Sequence, residues 1–488
     1  MKKLSYRSQN QRKKSLKYGG YATITTLVLL AVLVLINVLF SKLNFTVDLT
    51  SEELYTPGEQ TLRILDELED DITIYGLYNT GTEETELNAR VIRLVGSYCD
   101  LSDHITYKRI DPLTNPTFAN AYLQDESQSL DNGTLIMVNE TTGKFKTISV
   151  TNMYETTTDY TYLTRTVSGF SAEEALTVGL QYVTIQETPV LLQLQGHGES
   201  LLGDQFKEYL SYSNFDCEQV NLVLENKSEL EATLGTILVV NAPTQDLSET
   251  EYETLLNYME SGGRMLFLAE YDTPNLPNFS RLLARFGLSI QTGVMVETDN
   301  THYYQYPSII LPELAKNNDI TRYVMNDSNN YVLMTLPAAI NISSEVSQHI
   351  DITSLVTTSE GAVIKQGENN AVVYEEGDIQ GPFNLVVMAQ EDVAITDNGV
   401  QQAKLCVIGN AKFLSEYATT GNFKLTTIIC DELQDTTSGV YITTKSLSEG
   451  TIATSDADFF LWGGFFGIVL PLGIVLAGVI VYLRRRHR

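Results

Sequence analysis

The chain has 488 residues, 43% of them hydrophobic, and 61 acidic residues against 32 basic ones give a net charge of −29 at pH 7. A surface this anionic repels phosphates, which excludes nucleic acid as a partner. Cys99, Cys217, Cys406 and Cys430 are widely spaced and contain no Cys-x-x-Cys pair, which excludes a disulfide framework and a zinc or dithiol redox motif. Their spacing leaves two alternatives open: one or two disulfides, or free buried thiols.

In chain order, residues 1–17, MKKLSYRSQNQRKKSLK, carry seven Lys or Arg and no acid. YATITTLVLLAVLVLINVLF follows at 21–40, apolar apart from its threonines and Asn37. About 20 helical residues cross the ~30 Å hydrocarbon layer, and no small-residue cleavage site follows, so an uncleaved anchor is expected. The far end mirrors it, with an apolar span at 459–483, kinked at Pro471, before Arg484, Arg485, Arg486 and Arg488. Basic flanks stay on the cytoplasmic side of a membrane. The expected organisation is therefore a cytoplasmic N-terminus at 1–20, transmembrane helices at 21–42 and 459–483, and a cytoplasmic tail at 484–488. The large domain between them is expected outside the cell. Eleven of the 32 basic residues lie in the two ends, leaving 21 against all 61 acids in between, a net charge of −40.

Residues 43–187 predict a first α/β domain. ITIYGLY reads as a strand, ELNARVIRLVGSYCDL as a helix, ITYKRIDP, TLIMVN and FKTISV as strands, and SAEEALTVGLQYVT as a helix with a capping box from Ser171 to Glu174. That order suits a thioredoxin-like sheet. The position of a redox Cys-x-x-Cys holds YNTGTEET instead, which argues against thiol–disulfide exchange.

Residues 188–435 predict a second domain with an insertion at about 276–400. PVLLQLQ and TILVVNAP are continuous apolar runs of the kind found in buried parallel strands. DLSETEYETLLNYMESGG is the best-marked helix, with a Ser248–Glu251 capping box and Gly262 and Gly263 to stop it. Strands alternating with helices predict a doubly wound, flavodoxin- or amidotransferase-like parallel sheet. A stalk at 436–458 leads to the second span.

The candidate site is the GHGE loop at the end of LLQLQGHGES: Gly196, His197, Gly198 and Glu199. Ligands collect at the carboxyl ends of strands in such sheets, and the N–H groups of a following helix can hold an anion. The plainer reading is a tight turn allowed by two glycines, with His197 making a local hydrogen bond and Glu199 favouring a helix N-terminus. Catalytic partners are missing. There is no HExxH, GxSxG, Walker A or calcium-loop pattern, and TILVV runs into Asn241, Ala242 and Pro243 where an amidotransferase-like domain would place a cysteine. The expectation is no enzyme, no metal and no cofactor.

Taken in order, FTVDLTSEELYTPGEQTLRILDEL, DITIYGLY, GHGE, ILVVNAPTQDLSETEYETLLNYMESGGRMLFLAE, SLVTTSEGA and ITTKSLSEGTIATSDADFF resemble the Gldg-like proteins, auxiliary subunits of ABC transporters. The resemblance implies a non-catalytic, membrane-anchored subunit of the bacterial cell envelope. Its implied partners are an ABC permease and an ATP-binding subunit, with substrate binding or scaffolding as its role and a cell-wall or small-molecule ligand. The alternative is a membrane-anchored cell-surface hydrolase, or a glycan- or peptide-binding protein, that uses the GHGE loop.

Overall fold

The computed structural model describes residues 24, 27–32, 34, 35, 48, 50, 52–123, 130–159, 164–186, 188–224, 230–233, 235–325, 331–366, 373–396, 399–415, 418–434, 440–447 and 470–486. Met1–Thr56 and Pro57–Arg488 are separate compact units. In the first, the Asp48 carboxylate accepts hydrogen bonds from the Thr50 amide at 3.0 Å and the Tyr55 amide at 2.6 Å, an aspartate-headed turn.

The two expected membrane helices require correction. Among the described residues no helix is long and apolar enough to cross a membrane. The helix Leu470–Arg486 has 17 residues, the last three of them arginines. Residues 459–469, most of 21–42 and most of the stalk at 436–458 lie outside the described residues.

The second unit opens with α1 (Glu59–Asp66) and a four-stranded sheet of β1 (Ile72–Leu77), β2 (Ile105–Ile110), β3 (Leu135–Asn139) and β4 (Phe145–Ile148). The order is β2-β1-β3-β4, with β1 and β2 parallel and the other pairs antiparallel. Helix α2 (Glu86–Leu101) makes the parallel crossover and buries Val91, Leu94, Val95 and Tyr98, the i, i+3, i+4, i+7 stripe of an amphipathic helix. A hairpin of β5 (Tyr154–Asp159) and β6 (Thr164–Phe170) leads into α3 (Ala172–Thr184). Helix α3 lies so close to the sheet that a Cβ on Gly179 would sit 2.7 Å from Ile148 Cδ1. The capping box expected at Ser171 does not form. Its hydroxyl donates to the Asn152 carbonyl at 3.2 Å and makes no cap bond to the helix.

The ten-stranded sheet begins with β7 (Val190–Leu194), β8 (Asp216–Val220), β9 (Thr236–Asn241) and β10 (Arg264–Leu268). These four and the strand Gly399–Ile408 run parallel, in the order β8-β7-β9-β10-(Gly399–Ile408). The doubly wound parallel sheet expected from the sequence needs correction here, because antiparallel strands continue it. Asn384–Thr396 forms a long hairpin with Gly399–Ile408, and Ala339–Ile342, Leu288–Gln291 and Ile350–Thr357 extend it antiparallel. Hairpin connections permit antiparallel neighbours where a helical crossover would impose parallel ones.

Helices cover both faces of the parallel half. On one side α4 (Asp204–Tyr212) contributes Phe206 and Leu210 to a core with Leu191, Val239, Leu266 and Cys406. On the other, α5 (Glu249–Glu260) and α6 (Pro277–Arg285) bring Leu255, Met259, Phe279 and Leu282 against Leu238, Val240, Met265 and Phe267. Each fully buried side chain of this size contributes about 1.5–3 kcal/mol. Helix α7 (Asp319–Met325) packs on α8 (Thr420–Gln434), which lies on the first face with Leu425, Ile429 and Leu433 buried. The capping box at α5 is complete: the Ser248 hydroxyl accepts from the Glu251 amide at 3.3 Å, and the Glu251 carboxylate accepts from the Ser248 amide at 2.9 Å.

All four cysteines are free. Burial raises the thiol pKa of Cys406 and Cys430, both in the core, and also that of the half-buried Cys99 and Cys217. Thiol labelling of the native protein is expected to reach Cys99 and Cys217 first, with Cys406 and Cys430 reacting only on unfolding. Modification of Cys406 at the same rate as Cys99 would contradict this packing.

Candidate functional site

β8 lies on one flank of β7 and β9 on the other, so the strand order reverses between β7 and β9. In an open α/β sheet this reversal leaves a crevice at the carboxyl ends of the two strands. The GHGE loop after β7 and the loop after β9 meet there. The Thr244 and Gln245 amides both donate to the His197 carbonyl at 2.9 Å. The Ser200 amide donates to the Asn241 carbonyl at 2.8 Å, and the Asn241 side-chain amide returns a bond to the Ser200 carbonyl at 2.9 Å. Gly196 and Gly198 have φ of 122° and 73°, and a Cβ on Gly198 would lie 2.0 Å from Thr244 Oγ1. Two constraints therefore require glycine at 198: the left-handed backbone and the approach of the second loop.

His197 is 5% exposed. Its Nδ1 lies 3.0 Å from Glu199 Oε1 and its Nε2 3.1 Å from Glu251 Oε1. Glu199 Oε2 accepts from the His197 amide at 2.7 Å, so this carboxylate holds both backbone and ring. Glu251 Oε2 is engaged by the Ser248 amide and hydroxyl at 2.9 and 2.6 Å. The Phe279 ring stands edge-on to the imidazole at 5.9 Å.

Two carboxylates, one on each ring nitrogen, require two N–H donors, which only the protonated ring supplies. Burial pulls the His197 pKa down, but the hydrogen bonds and charges of Glu199 and Glu251 outweigh it, and the pKa is raised above its ordinary value. Burial pushes Glu251 up, and the Ser248 bonds together with His197 outweigh that, leaving its pKa lowered. An imidazolium with both N–H groups spent has no lone pair to accept a proton, so this ring is not set up as a general base. Ser200 bonds to Asn241 through its backbone, and the His197 ring faces carboxylates on both sides.

The structure brings His197 and Glu199 together and buries both, while Gly196 and Gly198 are exposed in the turn. Glu199 does not serve a helix N-terminus as expected. Helix α4 starts only at Asp204, and its N-cap, Gly203, donates to the Leu414 carbonyl. The residue missing from the sequence reading is Glu251, 54 positions away and read there only as a helix cap. The available signal was topological: an acid in the first turn after β9 lies within reach of the loop after β7 when the two strands are neighbours at a reversal.

A family model described as the IFT52 GIFT domain matches residues 217–443. A second, described as a domain of unknown function (DUF7088), matches residues 51–153. Each spans less than half of the chain. The IFT52 GIFT match overturns the Gldg-like identification, and with it the ABC permease and ATP-binding subunit as partners and the role of ABC auxiliary subunit. The two-span placement in a cell membrane is corrected along with its helices. No curated protein matches the chain. Among solved structures, the mmIFT52 N-terminal domain is 14% identical and aligns over 50% of this chain and 96% of its own, with a TM-score of 0.35. A putative ThuA-like protein from Bacteroides uniformis is 13% identical over 51% of this chain and 94% of its own, at 0.29. PurLQS from Thermotoga maritima is 12% identical over 51% of this chain and 100% of its own, at 0.25. Scores this low establish no common fold.

Replacing His197 with Gln removes the cation between two buried carboxylates and is expected to cost roughly 3 kcal/mol at about pH 6. An imidazole with a raised folded pKa stabilises fully below its unfolded value of ~6.5 and loses that contribution as pH rises through the folded value. Glu251, with its lowered folded pKa, stabilises above about pH 4.3 and loses that contribution as pH falls through its folded value. The gap in melting temperature between the native protein and His197→Gln should be widest between these limits and narrow at alkaline pH. A gap that stays constant with pH would contradict a charged His197. Gly198→Ala should cost about 1–2 kcal/mol in denaturant unfolding from its left-handed backbone alone. An unchanged midpoint would show that Thr244 and the turn move aside freely.

Proposed function

We propose that this chain is a non-catalytic assembly subunit, a protein that acts by binding other proteins. The observation that carries this reading is the closure of the strand-reversal crevice by the chain's own residues. The place where a doubly wound sheet would present a reactive group to a ligand holds a buried imidazolium with both N–H groups committed to Glu199 and Glu251. The match of residues 217–443 to the IFT52 GIFT domain supports the same reading, since that name belongs to a protein of intraflagellar transport. The match covers less than half of the chain, and the partner proposed here is protein in class rather than any particular subunit.

Native mass spectrometry of the full chain, affinity-captured and passed through gel filtration, is expected to show one or more protein partners in a fixed whole-number ratio. His197→Gln should lower stability yet keep that ratio. A chain that stays alone, and hydrolyses a small ester, amide or glycoside with activity lost in folded His197→Gln, would overturn the proposal.

A further inference from the structure

On the α4 side of the large sheet, three carboxamides stand at the carboxyl ends of β7 and β9. In the parallel pairing of these strands Leu191 is the partner of Ile237 and Gln193 of Val239. Leu191, Ile237 and Val239 belong to the core on the α4 side. Alternate residues of a strand share a face, so Gln193, Gln195 and Asn241 lie on that side too. The same register carried two residues further sets Gln195 beside Asn241, on strands about 4.8 Å apart. A glutamine in the middle of an otherwise apolar strand is the feature to explain.

Gln193 is 1% exposed and Asn241 3%. The Asn241 Nδ2 donates to the Ser200 carbonyl at 2.9 Å, which fixes the orientation of the amide and leaves Oδ1 as its free atom. Among the described residues, Asn241 Oδ1, Gln195 Nε2 and both polar side-chain atoms of Gln193 are enclosed and have no hydrogen-bond partner. Polar atoms buried without a partner are costly and scarce in native proteins, and ordered water commonly supplies the partner. These three side chains combine donors and acceptors and carry no charge. A cation would meet the N–H groups of two glutamines, and an anion would meet the Asn241 oxygen. Water both donates and accepts, and a buried water makes about three hydrogen bonds, which this set can supply.

We propose that Gln193, Gln195 and Asn241 form a binding site for internal water, with at least one molecule bridging the ends of β7 and β9. The water accepts from the glutamine N–H groups and donates to Asn241 Oδ1. The strand ends are then closed by His197 on the α5 side and by bound water on the α4 side. Crystals of the full chain that diffract far enough to show ordered water are expected to place one within hydrogen-bond distance of Gln193 and of either Gln195 or Asn241. In solution, oxygen-17 relaxation dispersion counts long-lived internal waters, and folded Gln193→Leu should lose at least one relative to the native chain. Gln195→Leu serves for the same comparison if melting curves show that Gln193→Leu does not fold. The proposal is overturned by amides bonded directly to one another, by amides packed dry against carbon, by a metal ion in the water's place, or by an unchanged count of long-lived waters in the folded variant.

Discussion

The imidazole of His197 sits between the carboxylates of Glu199 and Glu251 at the meeting of two loops, and the shape of the crevice depends on that positive charge. Burying one cation between two anions costs desolvation on all three groups, which hydrogen bonds must offset. Here they are nearly complete. Glu199 holds ring and backbone, Glu251 is also held by Ser248, and the His197 carbonyl accepts two amides from the loop after β9. Remove the ring, and two carboxylates remain buried without a counter-charge. The contact therefore acts as a clasp: it joins the carboxyl end of β7 to the first turn of α5, and every bond it makes is internal.

This clasp separates fold from chemistry. A parallel sheet with a strand reversal provides the geometry in which many enzymes place a nucleophile or a phosphate, yet architecture alone assigns no activity. In this chain the loop residues that could have reacted are spent on holding the sheet's end together. A separate cavity lies beside α1 and α8. That cavity is joined to the core through Glu173, whose carboxylate ties α3 to the start of α1 and to Lys445.

Legibility from sequence followed the range of the interactions involved. The strands at 190–194 and 236–241 were readable because both their faces are buried, so nearly every position is apolar. The cap at Ser248 was readable because its two partners lie three residues apart. The same pattern at Ser171 misled, because the Asn152 carbonyl, 19 residues earlier, takes its hydroxyl. The antiparallel half of the large sheet was obscured by short strands between polar loops, whose partners are set by hairpin pairing rather than by local periodicity. The role of the histidine was half visible: the glycines announced a tight turn, but the acid that completes the clasp lies beyond α4, β8 and β9. At the ends of the chain, apolar runs beside basic residues were read as membrane spans, whereas among the described residues no helix is long and apolar enough to cross a membrane.

The central claim is that His197 is a cation with both ring nitrogens donating. Nitrogen-15 NMR of the histidine ring in the intact protein tests it directly. The account predicts that at neutral pH both Nδ1 and Nε2 of His197 carry hydrogen, and that the ring gives up a proton only above the usual histidine range, near ~6.5. A neutral ring at pH 7, with one bare nitrogen and ordinary titration, would contradict the clasp and reopen the crevice as a reactive site.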